Sequence, residues 1–256
     1  MLADNEVSVL LCTPTYAVRL GQEARKTDFG SAVDSVRRII VAGEPGGSIP
    51  ATRQRLADLW PNATVLDHYG TTETGPVAYQ RPDEPGNLRT IDSAYVVEII
   101  DPETSRPVDT GDVGELVLTG LGRLGSPLLR YRTGDLVRRG PRTARDGCQD
   151  QTLEGGVIGR ADDMVVVRGV NIYPSAVESV LHTFREVVEF RVTHLRSELE
   201  VEVELDEDTA DVDATIAEIS EALRSSLLVR PSVRPVGSGV LPRFDMKARR
   251  WSRGVG

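Results

Sequence analysis

Two hydrophobic periodicities alternate along the first sixty residues, and that alternation restricts the fold more than any other feature of the chain. Val7-Ser8-Val9-Leu10-Leu11-Cys12 is a short apolar run closed by Thr13-Pro14, which predicts a buried strand ending in a turn. Helical spacing follows from Tyr16 to Arg25. Val36 to Val41 predicts a second strand, broken by Gly43-Glu44-Pro45-Gly46-Gly47. Ile49 to Leu59 then reads as an amphipathic helix with Ser48 as its N-cap and Pro50 in its first turn. Strands joined through helices lie mostly parallel, with the crossover helices packed on the sheet.

After Glu73 the pattern changes. Short strands are expected at Ala94–Ile100, Gly114–Thr119 and Leu128–Arg132, with turns at Asp101-Pro102 and Asp109-Thr110-Gly111-Asp112 and few helical stretches. This predicts an antiparallel subdomain or small barrel, and Gly140 to Gly156, rich in Gly, Asp and Arg, reads as a loop or loose hairpin. A boundary is expected near Asp162. Beyond it come a strand at Met164–Val167, a helix capped around Pro174-Ser175 and running to Thr183, and strands at Val187–His194 and Leu199–Leu205. A helix over Val212–Leu228 and a last strand around Ser232-Val233 complete a small α+β unit. The expected division is 1–161, with an α/β part (1–75) and a β-rich part (76–161), and 162–256.

Composition excludes several classes. Apolar residues make up 39% and charged residues 27%, ordinary values for a globular chain, so disorder throughout is not expected. Apolar runs such as Ala94–Val97 and Met164–Val167 are strand-length, far below the ~20 residues of a membrane helix. The start, with Asp4 and Glu6, lacks the basic and apolar stretches of a secretory signal. A net charge of −9 argues against a nucleic-acid surface, and although arginines heavily outnumber lysines, they are spread along the chain. Cys12 and Cys148 make neither a disulfide framework nor a zinc spacing, so a reduced, cytoplasmic setting is expected.

Three strings carry the chemistry: Asp67-His68-Tyr69-Gly70-Thr71-Thr72-Glu73, Tyr131-Arg132-Thr133-Gly134-Asp135-Leu136, and Gly159-Arg160-Ala161-Asp162-Asp163-Met164 running into Arg168-Gly169-Val170-Asn171. Asp135, read as following a Thr-Gly turn at a strand end, can accept two hydrogen bonds from neighbouring ribose hydroxyls, or can brace its own turn. Gly70 lets a backbone come close to a ligand. Ala42-Gly43-Glu44-Pro45 ends a predicted parallel strand, where ligands bind in open α/β sheets, though a helix-entry turn explains it too. Gly159 to Asp162 lies between two cores and can absorb the backbone rotation of a hinge; Arg160 could instead form a surface ion pair with Asp162 or Asp163.

In this order the three strings resemble the adenylate-forming superfamily of acyl-CoA synthetases and adenylation domains. Val41-Ala42-Gly43-Glu44-Pro45, the segment Arg168 to Tyr173-Pro174, and the ending Leu241-Pro242-Arg243-Phe244-Asp245-Met246-Lys247-Ala248-Arg249-Arg250 look most like its phenylacetate-CoA ligase branch. The resemblance covers nearly the whole chain but begins well inside such an enzyme, and no stretch reads as the family's Ser/Thr/Gly-rich phosphate loop followed by Lys. It implies an incomplete large domain, a parallel sheet with helices plus a small antiparallel β subdomain, followed by a small mobile α+β domain.

The implied activity is ATP-dependent activation of an aryl or small acyl carboxylic acid as an acyl adenylate, with transfer to CoA or another acceptor. The alternative is a shortened noncatalytic or partner-dependent module that binds nucleotide, acyl adenylate or acyl-CoA. By resemblance, Tyr69 stacks on adenine, Thr71 or Thr72 meets the α-phosphate, Glu73 helps hold Mg²⁺, and Asp135 binds the ribose. Gly43, Glu44, Pro45, Asp67 and Gly70 belong to the same nucleotide site, and Arg160 reaches the nucleotide. Asp162 is the pivot, and Lys247 binds the carboxylate and α-phosphate, stabilising the charge that develops there. Met246 stands where a Gly is usual. Tyr16 and His68 are candidates for the acid pocket; a core aromatic and a structural histidine are the other readings. With part of the large domain missing, the edge around Val7–Cys12 and the helix Tyr16–Arg25 would be uncovered, so a homo-oligomer or a protein supplying the missing N-terminal half is expected.

Overall fold

The structure, a computed structural model, describes residues 2, 4–26, 34–142, 149–195, 197–244 and 248–254. Asp245, Met246, Lys247 and Cys148 lie outside these. The chain divides into two compact units, Met1–Asp162 and Asp163–Gly256.

In the first unit, β1 (Val9–Cys12), α1 (Pro14–Lys26), β2 (Arg38–Val41), α2 (Pro50–Leu59) and β3 (Thr64–Thr71) follow the strand–helix alternation. The three strands pair in parallel. One face of this ladder, built by Ile39, Val41 and Val65, packs on Ala17 of α1 and Leu56 and Leu59 of α2, with Trp60 closing the core. The Trp60 indole N–H donates to the Ala17 carbonyl at 3.0 Å. Gly21 makes the helix contact close, since a Cβ there would lie 2.8 Å from the Leu59 Cβ. On the other face Val9 and Leu11 of the edge strand are 42% and 70% exposed.

β3 is the pivot of the architecture because it also pairs antiparallel with β4 (Gly75–Tyr79). The sheet continues through β5 (Asn87–Thr90), β6 (Tyr95–Ile100), β7 (Val113–Gly120), β8 (Tyr131–Arg142) and β9 (Gln151–Arg160). The nine strands run β1-β2-β3-β4-β5-β9-β8-β7-β6, and a second core of Val77, Leu88, Leu116, Leu118, Val137 and Leu153 fills the antiparallel part. Several expectations need correction here. Ser48 does not cap α2: Ile49 is the N-cap, with no side-chain cap bond, and Pro50 opens the helix. The strand expected at Leu128–Arg132 begins at Tyr131 and runs on through Asp135 to Arg142. Most of the expected loop Gly140–Gly156 is strand, the ends of β8 and β9. A bulge between Arg139 and Arg142 breaks the alternation there and hides the strand signal.

The second unit opens with the hairpin β10 (Val165–Val167) and β11 (Val170–Ile172), whose two-residue turn places Arg168 and Gly169 at φ 51° and 81°. Such primed turns match the twist of the strands they join. α3 (Pro174–Leu181), β12 (Val187–Leu195), β13 (Glu198–Leu205), α4 (Val212–Leu227), β14 (Ser232–Val236) and β15 (Trp251–Arg253) follow. The four-stranded sheet runs β14-β13-β12-β15. Val177 and Leu181 of α3 and Ile219, Leu223 and Leu227 of α4 pack on its inner face of Phe190, Val192, Leu199, Val201 and Val203. Asp211 caps α4, its carboxylate accepting from the Ala214 N–H at 2.9 Å. Among the described residues no helix is long and apolar enough to cross a membrane.

Candidate functional site

Two of the three motifs meet through a local distortion of β8. Between Arg132 and Leu136 the strand carries a bulge against β7, with Gly134 at φ +76°. A side chain at Gly134 would also strike Arg160, a Cβ lying 2.8 Å from its Nη2, so this glycine is required twice. The bulge is held from within: Thr133 Oγ1 donates to the Leu116 carbonyl at 2.8 Å and accepts from the Asp135 N–H at 3.0 Å, while Glu115 accepts from the Gly134 N–H at 3.2 Å. Bulges re-aim side chains, and this one turns Asp135 toward β3. There the Tyr69 hydroxyl donates to Asp135 Oδ2 at 2.6 Å. Asp135 therefore stands inside a strand rather than at its end.

Arg160, at the end of β9, is the cross-strand partner of Asp135. Its Nη1 lies 3.5 Å from Asp135 Oδ1 and donates to the Thr133 carbonyl at 3.3 Å. Its Nε and Nη2 grip Asp162 in a bidentate pair at 2.8 and 3.0 Å, which holds the Asp162 carboxyl below its ordinary range. The surface-pair reading of Arg160 is thus realised with Asp162, alongside the contact with Asp135. Burial, then the Asp135 carboxylate, pushes the Tyr69 phenol upward, so it stays a neutral donor.

Beyond Tyr69, the chain reverses through Thr72 and Glu73. Thr71 and Thr74 brace this turn, their hydroxyls 3.0 Å apart and each accepting from the other's backbone N–H, at 3.3 and 3.2 Å. Gly70 serves the hairpin itself: a Cβ there would lie 2.5 Å from the Gly75 carbonyl oxygen. Glu73 is exposed, and its own backbone N–H, then the Thr71 hydroxyl, lower its carboxyl from the ordinary value. Among the described residues no group of three or more His, Cys, Asp or Glu could hold a metal by itself. A single ionised carboxylate fits a Mg²⁺ that takes its remaining ligands from phosphate oxygens and water.

Asp67 and the glycine loop after β2 form a second, buried cluster. The Ser48 hydroxyl donates to Asp67 Oδ2 at 2.6 Å and the His68 N–H to Oδ1 at 2.9 Å. Gly47 and Gly156 make the approach possible, since a Cβ on Gly47 would lie 2.4 Å from the Asp67 carboxyl carbon and one on Gly156 2.6 Å from Ser48 Oγ. Arg53 ties the same loop to β3, donating to the carbonyls of Gly47 and Val65 at 2.9 and 3.1 Å and to Gln80 at 2.6 Å. Burial raises the Asp67 carboxyl from 3.8 to about 6, against the opposing pull of Ser48, His68 and Arg53.

Glu44 points elsewhere. Its carboxylate accepts from the Thr15 N–H at 2.7 Å, at the start of α1, whose first turn has no acid of its own. Burial, with Glu44 nearby, pushes the Cys12 thiol up to about 11. Gly43 has φ +92°, and Pro45 follows Glu44 in the same turn. Tyr16 lies half-buried in the first turn of α1, its N–H donating to Thr13 Oγ1 at 3.2 Å. His68 is half-buried opposite Tyr79 and, by strand alternation, faces away from Asp67 and Tyr69. Among the described residues no hydrogen bond joins Tyr16 or the His68 ring to the Tyr69–Asp135 pair. Gly134, Thr133 and Ser48 were not read as site residues from sequence, Ser48 having been read as a helix cap; of these only the Thr-Gly pair before Asp135 carried a signal.

The fold is that of the adenylate-forming ligases. A 2-hydroxyisobutyryl-CoA ligase, solved in complex with 2-HIB-AMP, superposes with a TM-score of 0.92 over 99% of this chain and 56% of its own, at 28% identity. Residues 1–124 match the AMP-binding enzyme family and residues 169–252 the AMP-binding enzyme C-terminal domain, and the chain belongs to this family. It is 30% identical to the phenylacetate-coenzyme A ligase of Pseudomonas putida over 97% of its own length and 58% of that protein. With the Thermus thermophilus phenylacetate-coenzyme A ligase it shares 35% identity over 73% of this chain and 42% of that one. The chain thus spans a little over half the length of the Pseudomonas relative.

Proposed function

We propose that this chain takes part in the ATP-dependent activation of an aryl or small acyl carboxylic acid, followed by transfer of the acyl group to CoA. The observation that carries the reading is the convergence of Tyr69, Asp135 and Arg160, from β3, β8 and β9, at one polar cluster beside the Thr71–Glu73 turn. Adenine lies on the Tyr69 ring, and the ribose hydroxyls replace or join the Tyr69 hydroxyl on the Asp135 carboxylate. Arg160, half in solvent, can turn from Asp162 toward the nucleotide. The Thr71 and Thr72 hydroxyls meet the α-phosphate, while Gly43 and Pro45 border the base and Asp67 holds that loop in place from beneath.

In the first step a carboxylate oxygen of the acid attacks the α-phosphorus and pyrophosphate leaves; in the second a thiol attacks the acyl carbon, AMP leaves with the bonding pair, and the thiol proton passes to solvent. Lys247 stabilises the charge of the first step by its ammonium group, an assignment that rests on the family resemblance. Mg²⁺, when held by Glu73 and the phosphates, would neutralise phosphate charge. Asp162, at the division between the two units, is the proposed hinge. Tyr16 and His68 remain candidates for contacts with the acid. The free Cys12 thiol favours a reducing, cytoplasmic setting. The exposed edge residues Val9 and Leu11 favour association with another copy or another polypeptide, which sedimentation velocity at micromolar concentration tests.

Acid-dependent exchange of pyrophosphate into ATP, with a panel of aryl and aliphatic acids, tests the function. Exchange that appears only with a particular acid supports it; AMP binding without exchange under any acid contradicts it.

A further inference from the structure

Tyr95 stands at the start of β6, and β6 ends the nine-stranded sheet with β5, β9, β8 and β7 between it and β4. The antiparallel part nevertheless curls far enough for the two to meet. The Ile91 N–H, just before β6, donates to the Val77 carbonyl of β4 at 2.8 Å, and Tyr95 shares a core with Val77 and Ala78. Tyr95 is 7% exposed, and its hydroxyl donates to the Thr74 carbonyl at 2.6 Å. Thr74, itself buried, is the foot of the reversal whose tip, Thr72 and Glu73, is exposed. A second anchor comes from the chain after β7. Gly120, the cross-strand partner of Tyr95, closes β7, and a little further on the Arg123 guanidinium donates to the Glu73 carbonyl.

The clasp between the Thr71 and Thr74 hydroxyls closes this turn, but both residues travel with it. Tyr95 and Arg123 tie it to other strands. β6 pairs with β7 from Tyr95–Gly120 to Ile100–Glu115, and β7 supplies the Leu116 carbonyl and the Glu115 carboxylate that hold the Asp135 bulge. A continuous run of contacts therefore leads from the Thr72–Glu73 tip through Tyr95 and β7 to Asp135. These are the two places at which the proposed site holds one nucleotide, by its phosphate and by its ribose.

We infer that Tyr95 and Arg123 are positioning residues that set the span between the Thr72–Glu73 tip and the Asp135 carboxylate, and with it the fit of a nucleoside phosphate. Loops move more than the elements that carry them, and groups that meet a ligand must be held within about 0.5 Å of their productive place. A buried phenol needs a hydrogen-bond partner in any protein. What marks this one is that its partner is the foot of the turn. The inference rests on the reading of this cluster as a nucleotide site.

Calorimetric titration of AMP and of adenosine separates the two ends of that site, since adenosine meets Tyr69 and Asp135 but carries no phosphate. Tyr95→Phe removes the hydroxyl and keeps the ring. Thr90→Val is the control for lost stability alone, because it removes another fully buried hydroxyl, shared between Asp92 and the Gln151 carbonyl, away from the turn. AMP affinity should fall roughly 10-fold in Tyr95→Phe, the worth of one hydrogen bond to a charged group, with adenosine affinity unchanged; in Thr90→Val neither should change. Arg123→Ala, on an exposed loop, should act in the same direction as Tyr95→Phe, and Arg123→Lys, which still donates to a carbonyl, should restore most of the loss. These two variants decide the matter if Tyr95→Phe fails to fold. Equal losses for AMP and adenosine, or no loss for either, overturn the inference while leaving the nucleotide site standing. A wild type that binds AMP no more tightly than adenosine, or binds neither, overturns it together with the phosphate role of the turn.

Discussion

Arg160 and Arg250 each answer carboxylates, in surroundings that differ in the respect that matters for function. The Arg160 side chain is 45% exposed and divides its donors between Asp135 and Asp162, the latter 66% exposed. Arg250 is 8% exposed, commits to Glu189 and lies between two phenyl rings. An exposed, shared ion pair gains little and can exchange a partner for a ligand at small cost. A buried pair cannot, because separating it leaves a charge without solvent or counter-charge. Arg160 therefore keeps its charge available for chemistry, whereas Arg250 is committed to structure.

The comparison predicts its largest effect in the second unit. Arg250→Ala leaves Glu189 buried and uncompensated and should cost about 3–5 kcal/mol of stability, read as a lowered denaturation midpoint; a loss as small as that of an exposed pair would break the contrast. Next in size, Lys247→Ala should slow adenylation about 10²–10³-fold while sparing thioester formation from supplied acyl adenylate. Replacing Asp162 by proline should do the reverse, since a fixed φ obstructs the proposed hinge. Single-turnover assays of the two steps decide it, and equal loss in both steps for both variants would remove the hinge from the account.

A smaller effect concerns Asp67. Its folded-state carboxyl titrates at about 6, above its ordinary 3.8, so between these values the folded chain holds a proton that the unfolded chain has released. Stability from this group is therefore full below pH ~4, declines as pH rises toward 6, and is flat above. Asp67→Asn removes that dependence, and relative to wild type it should be more stable above pH 6 by about 1–2 kcal/mol, less than the full shift because the amide weakens the Ser48 contact. Denaturation midpoints at pH 4.5 and 7.5 sharpen the comparison, and a pH-independent difference between the two proteins would count against the burial argument.

Much of this was legible in the sequence because it is local. The alternation from Val7 to Leu59 dictated the parallel strands, and the turn residues after Glu73 dictated the antiparallel ones. Tyr69, Asp135 and Arg160 were chosen from three separate strings, and the structure brings them together. What escaped depends on register. The bulge at Gly134 puts Asp135 in mid-strand, and nothing in Tyr131–Leu136 states where the partner strand slips. The Glu44 carboxylate meets the Thr15 N–H at the start of α1, a contact across 29 residues that no local pattern states. The pairing of Glu189 with Glu204 is invisible until β12 and β13 are aligned, because alternating acids on β13 read only as a polar face.

The most direct test of the central claim is calorimetric titration of AMP into wild type and Asp135→Ala. Losing a charged acceptor for the ribose hydroxyls should cost about 1.5–3 kcal/mol, or roughly 10- to 150-fold in affinity, with the denaturation midpoint little changed. Equal affinities for the two proteins would contradict the account, because the carboxylate that Tyr69 and Arg160 hold in place would then not be held for a nucleotide.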